Sequence, residues 1–139
     1  MEAYTRTRNE SVQVGETNDC SVVAFSIAFE ISYKTSHAMH AKYGRKPRCG
    51  TSYKTHVLCV NEMELQGYTT EEIIPRKVYE RYGKVIQGKY SLKSIGAAYP
   101  EGRYLVKVRG HILAMVDGVI EDWSEGRKLQ VKTIIKVEL

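Results

Sequence analysis

The chain has 139 residues, which suits one domain and leaves little room for two. Its composition, 42% hydrophobic and 27% charged, excludes collagen, a coiled coil and a disordered tail, and no apolar run approaches the roughly 20 residues of a membrane span. The 21 basic residues exceed the 16 acidic ones to give +5, which permits weak nucleic-acid binding through a basic face without naming a ligand.

Three cysteines, at positions 20, 49 and 59, are an odd number and do not form a disulfide framework. With no charged and apolar leader in view, the expected compartment is the reducing cytoplasm.

The first dozen residues, MEAYTRTRNESV, are polar and basic without strong periodicity, and read as an exposed arm or an edge strand. QVGETND then supplies turn formers ahead of the apolar run CSVVAFSIAFEISY. Val22, Val23, Ile27 and Ile31 recur at helical spacing, which predicts a buried helix over about 19–33 with Asn18 or Asp19 as its N-cap. KTSHAMHAKYG reads as a second short helix, capped by Thr35 or Ser36 and stopped by Gly44. A third helix is predicted over about 54–66, with Val57, Val60, Met63 and Leu65 turned inward. Residues 68–90 are mixed and give no clear element, and a short helix near 91–98 ends before Pro100. From Gly102 the pattern alternates. RYLVKVRGHILAMVDGVIEDW carries Asp117-Gly118 between apolar runs, the strongest short hairpin signal, and LQVKTIIKVEL closes a sheet. Helices first and strands last predict a single α+β domain over residues 1–139, with helices packed on a C-terminal antiparallel sheet.

Cys20 opens the first predicted helix, where free amides and the helix dipole favour thiolate over thiol, whereas Cys59 suits a structural place within a helix. A two-residue turn at Asp117-Gly118 would pair Ala114 with Glu121 and Leu113 with Asp122. His111 and Asp122 then share a face as diagonal neighbours, and Glu121 falls on the other. Such an acid can fix the tautomer of a histidine whose second nitrogen faces a nucleophile. Ser124 is the alternative partner if the turn slips, and a buried structural His-Asp pair is the competing meaning. For an oxyanion, the Cys20 amide is one donor, with Gln13 and Asn18 as side-chain candidates. Either of these can instead serve as a capping or turn residue.

NDC opening a buried helix, the later YGRKPRCGT and GRYLVKVRGHILAMVDGVIEDW together resemble the papain-like superfamily of cysteine peptidases. Within it, the likeness is to small bacterial and phage members related to bacteriocin-leader peptidases. The resemblance spans roughly 13–50 and 91–123 and implies a papain-like fold with Cys20 as nucleophile, His111 as general base and Asp122 as orienting acid. It implies a thiol hydrolase acting on peptide or protein through a thioester, in a bacterial or phage-infected cell. Position 14 is Val where relatives carry the oxyanion Gln, so Gln13 sits one residue too far out, and residue 21 is Ser where many have Gly. Inactive relatives serve as binding domains for protein or nucleic acid, and the same triad serves amidases and acyltransferases.

His37, His40 and Cys49 lack the spacing of a metal motif, and the two histidines read as solvent-exposed helix residues, with His56 a surface or capping residue. Arg45, Lys46 and Arg48, and the later Arg127, Lys128, Lys132 and Lys136, read as solvated basic faces. No glycine pattern cradles a phosphate, and neither cofactor nor metal is expected.

Overall fold

A mostly polar twelve-residue segment nevertheless forms a helix, with Ala3 and Tyr4 packed on the core and polar contacts to later parts of the chain at both ends. The computed structural model describes residues 1–139 and places α1 at Glu2–Gln13, where an arm or edge strand was expected. The Glu121 carboxylate accepts from the Tyr4 amide at 3.1 Å, filling the place of a local cap. At its other end, buried Ser11 donates to Asp19 at 2.6 Å.

The apolar run forms α2, Cys20–Ala28, buried from Ser21 onward. It is shorter than predicted. The chain turns at Glu30, whose φ is 54°, and Ser26 donates to the Ile31 carbonyl at 2.7 Å. Ser32, not Thr35 or Ser36, then caps α3, Tyr33–Lys42, by accepting from the Thr35 amide. Ser36 is buried instead and donates to the Val22 carbonyl, tying α3 to α2. In α4, Tyr53–Leu65, the inward stripe is Thr55, Cys59 and Met63, four residues apart. Val57 and Val60 are half-buried. Leu65, expected inside, is 84% exposed because two residues beyond Met63 lies on the far side of a helix.

The unassigned stretch contains three strands: β1, Thr69–Ile73, then the exposed hairpin of β2, Lys77–Arg81, and β3, Lys84–Gly88. Then come α5, Leu92–Ala98, β4, Arg103–Val108, β5, His111–Val116, β6, Val119–Glu121, and β7, Val131–Glu138. Helices and strands therefore interleave more than a simple division predicts. The α+β class holds: five helices and an antiparallel sheet in the order β1-β7-β4-β5-β6.

Strand alternation splits the core between the two faces of this sheet. Leu105, Ala114, Ile135 and Val137 pack with α2, α3 and α4, and Val106, Leu113, Met115 and Ile134 pack with Leu92 and Ile95 of α5. The predicted hairpin register forms, with Ala114 opposite Glu121 and Val116 opposite Val119. Asp117 and Gly118 both have positive φ, 48° and 78°, as a type I′ turn requires. Gly96 of α5 presses on that turn so closely that a Cβ there would meet the Gly118 carbonyl oxygen at 2.1 Å. The turn, the register and the placement of Asp122 are thus fixed together.

Candidate active site

Cys20 is the first residue of α2, and no side chain caps that helix. Asp19 stands at the N-cap position, but its carboxylate accepts from Ser11 and from the Tyr33 hydroxyl at 2.7 Å, leaving the first amides of α2 free of it. The turn before Cys20 is held from outside by Glu16. This buried carboxylate takes both guanidinium arms of Arg45 at 3.1 Å, His37 Nε2 at 2.6 Å and the Arg48 amide at 2.8 Å. The Arg45 hydrogen bond outweighs burial and holds the Glu16 carboxyl at about 2. Arg45 is therefore a buried anchor rather than part of a solvated basic loop, because only a guanidinium of that reach can span Glu16 and the Thr17 carbonyl.

His111 begins β5 at the same end of the sheet that α2 reaches. Its Nε2 lies 2.7 Å from Asp122 Oδ2, just beyond β6. Ser124, completely buried, does not replace Asp122; its hydroxyl and its amide both donate to that carboxylate. Nδ1 is thereby left as the nitrogen free to exchange a proton with sulfur. Trp123 lies against the His111 ring at 5.2 Å and carries the Arg127 guanidinium on its own ring at 5.1 Å.

The electrostatics of the two groups are reciprocal. Burial raises the Cys20 thiol, but hydrogen bonds from His111 and from the Ile112 and Ser21 amides, with the histidine charge, bring it below its ordinary value. Burial opposes charge on His111 as well, yet Asp122 and Cys20 together lift it to about 9. The pair favours thiolate and imidazolium.

Two cavities meet over this pair, of about 600 and 420 Å³, and Cys20, Gly50, Gly110 and His111 line both. Asn18 lines the smaller one and donates to the Arg48 carbonyl at 3.2 Å. Gln13 is not brought to the cleft. It is the exposed last residue of α1 and borders a separate hollow beside Glu16 and His37, because Val14–Asp19 separates that helix end from Cys20.

The remaining histidines differ from the expectation of surface positions. His40 is fully buried: its Nδ1–H donates to the Ser36 carbonyl, and Nε2 accepts from the Ser21 hydroxyl, each at 2.8 Å. His56 is 7% exposed, packs edge-on to Phe25 and lines the larger cavity. Both take these places because α3 and α4 bury mixed polar faces rather than apolar stripes. Burial pushes both down to about 4, with Lys107 also opposing charge on His56. No three His, Cys, Asp or Glu side chains gather at metal-binding spacing. The basic loop and C-terminal residues Lys46, Arg48, Arg127, Lys128 and Lys132 are exposed, while Lys136 pairs with Glu138 at 3.3 Å.

Sequence reasoning missed the Glu16 anchor, Trp123, and the cavity wall supplied by Thr51, His56, Lys107 and Lys132. Only Trp123, next to Asp122, carried a local signal. Comparison with protein-family models, curated proteins and solved structures found no match for the chain. The case for the site therefore rests on its geometry.

Proposed function

We propose that this chain is a thiol hydrolase, a cysteine peptidase of papain-like type, using Cys20, His111 and Asp122. One observation carries the reading: Asp122 holds His111 Nε2 at 2.7 Å while the same ring acts on the thiol at the start of α2. The antiparallel sheet behind that pair and the helices on its α2 face support the papain-like comparison.

The thiolate of Cys20 attacks a peptide carbonyl, forming a C–S bond and an oxyanion. The Cys20 amide, with Asn18 at the cleft edge, serves the oxyanion. His111 Nδ1 gives its proton to the amide nitrogen as the C–N bond breaks, releasing an amine and leaving a thioester. Neutral His111 then takes a proton from water as its oxygen attacks the thioester carbon; the C–S bond breaks, releasing the acid and regenerating the Cys20 thiolate beside protonated His111. Asp122 keeps the ring oriented and its charge stabilised throughout.

A peptide library read by mass spectrometry tests this. The parent protein yields fragment pairs whose masses sum to parent peptide plus one water, and Cys20→Ala and His111→Ala yield none. Products carrying an added amine would mean acyl transfer, and no turnover with any peptide would leave a binding domain.

A further inference from the structure

We infer that the larger cavity beside Cys20 binds a carboxylate of the substrate, held by Lys107 and Lys132 together with the hydroxyls of Thr51 and Thr133. The inference rests on the thiol-hydrolase reading for the position of the scissile bond, and on the cavity itself for its chemistry. Lys107 and Lys132 line the cavity, and no Asp or Glu does. Neither lysine forms a salt bridge. Lys107 is half-buried, with the Tyr53 ring 5.5 Å from its ammonium. Glu72, the carboxylate that acts on its charge, makes no salt bridge with it and lines an adjoining hollow that Lys107 also borders. A partly desolvated ammonium without a paired anion favours one that arrives with the ligand.

The backbone supports the same assignment. The register between β4 and β7 shifts at this point: Lys107 pairs with Thr133 and Val108 with Val131, leaving Lys132 as the extra residue of a β-bulge. Bulges re-aim side chains beside functional sites, and here the bulged residue borders the cavity. Thr51 Oγ1 is buried and has no hydrogen-bond partner in the protein, an open donor in the lining of the same cavity. The smaller cavity offers the contrast. Its two carboxylates, Asp19 and Asp122, already accept bonds from protein groups.

The carboxylate can come from an Asp or Glu side chain or from a peptide C-terminus, and the test separates the two. Cys20 is alkylated at low ionic strength with iodoacetate, which carries a carboxylate, and with neutral iodoacetamide, and the ratio of the two rates is read by mass spectrometry. Lys107→Gln/Lys132→Gln lowers that ratio by about threefold or more, as two nearby charges lost from a low-salt cleft require. Each single variant gives a smaller drop, and Lys77→Gln/Arg81→Gln, which removes equal charge from the β2–β3 hairpin, gives none. Blocked peptides with Glu, the same peptides with Gln, and Gln peptides with a free C-terminal carboxylate are then tested for protection of Cys20 from iodoacetamide. Protection by the first or the third supports the inference and names the source. A ratio unmoved by the lysine substitutions, or protection by neither, overturns it. If Cys20 reacts with both reagents no faster than a free thiol, the hydrolase reading falls, and the ratio still reports on the cavity.

Discussion

At the cleft mouth His111 meets a carboxylate and a thiol, whereas between α2 and α3 His40 meets a hydroxyl and a carbonyl. His40 is fully buried and His111 half-buried, and burial opposes charge on each. The outcomes diverge, to about 9 for His111 and about 4 for His40. Burial alone therefore neutralises a histidine, and a hydrogen-bonded anion reverses the sign. Here the first anion is Asp122, itself held by the Ser124 amide and hydroxyl, and the Cys20 thiolate adds to it. The same contrast extends to His56, which has a cation, Lys107, for a neighbour and also falls to about 4.

Removing the anion should break the contrast most sharply. Asp122→Asn is expected to bring His111 down from about 9 toward an ordinary histidine, as read by NMR titration of its ring. Under the proposed function, peptide hydrolysis should fall by about 10⁴-fold, with the ring freed to take the wrong tautomer.

Acid should act on the buried histidines next. Their folded values of about 4 lie below the ordinary 6.5, so the unfolded chain binds more protons in that window. Their contribution is complete above pH 6.5 and declines as pH falls toward 4, by about 3 kcal/mol for each histidine. Urea unfolding across that range measures it, and His56→Leu should remove about half of the slope. His111 has the opposite sign: its contribution is complete below 6.5 and is lost as pH rises through about 9.

The half of the site built from short-range rules was legible in the sequence. Turn formers before an apolar run placed Cys20 at a helix start, and Asp117-Gly118 fixed the pairing that puts Ala114 opposite Glu121 and carries Asp122 to His111. What escaped reading depends on partners distant in sequence. Glu16 and Arg45 are 29 residues apart, and Tyr4 of α1 draws on Glu121 across 117. No periodicity announces a polar helix held by such contacts. Likewise Ser36 and His40 sit on the inner face of α3, where an apolar-stripe rule expects neither, so the sequence reads Ser36 as a cap and His40 as a solvent-exposed residue. The β-bulge that borders the cavity with Lys132 is a mismatch between two strands, invisible in either one.

The most direct test is the pH dependence of Cys20 alkylation, located by mass spectrometry, in the parent and in His111→Ala. Cys59, buried and pushed up to about 12, serves as an unreactive internal reference. The account predicts that Cys20 in the parent titrates below the roughly 8.5 of a free thiol, and that His111→Ala abolishes the shift. An unshifted or unreactive Cys20 in both proteins would contradict it, leaving an α+β fold whose cysteine and histidine are neighbours without being a catalytic pair.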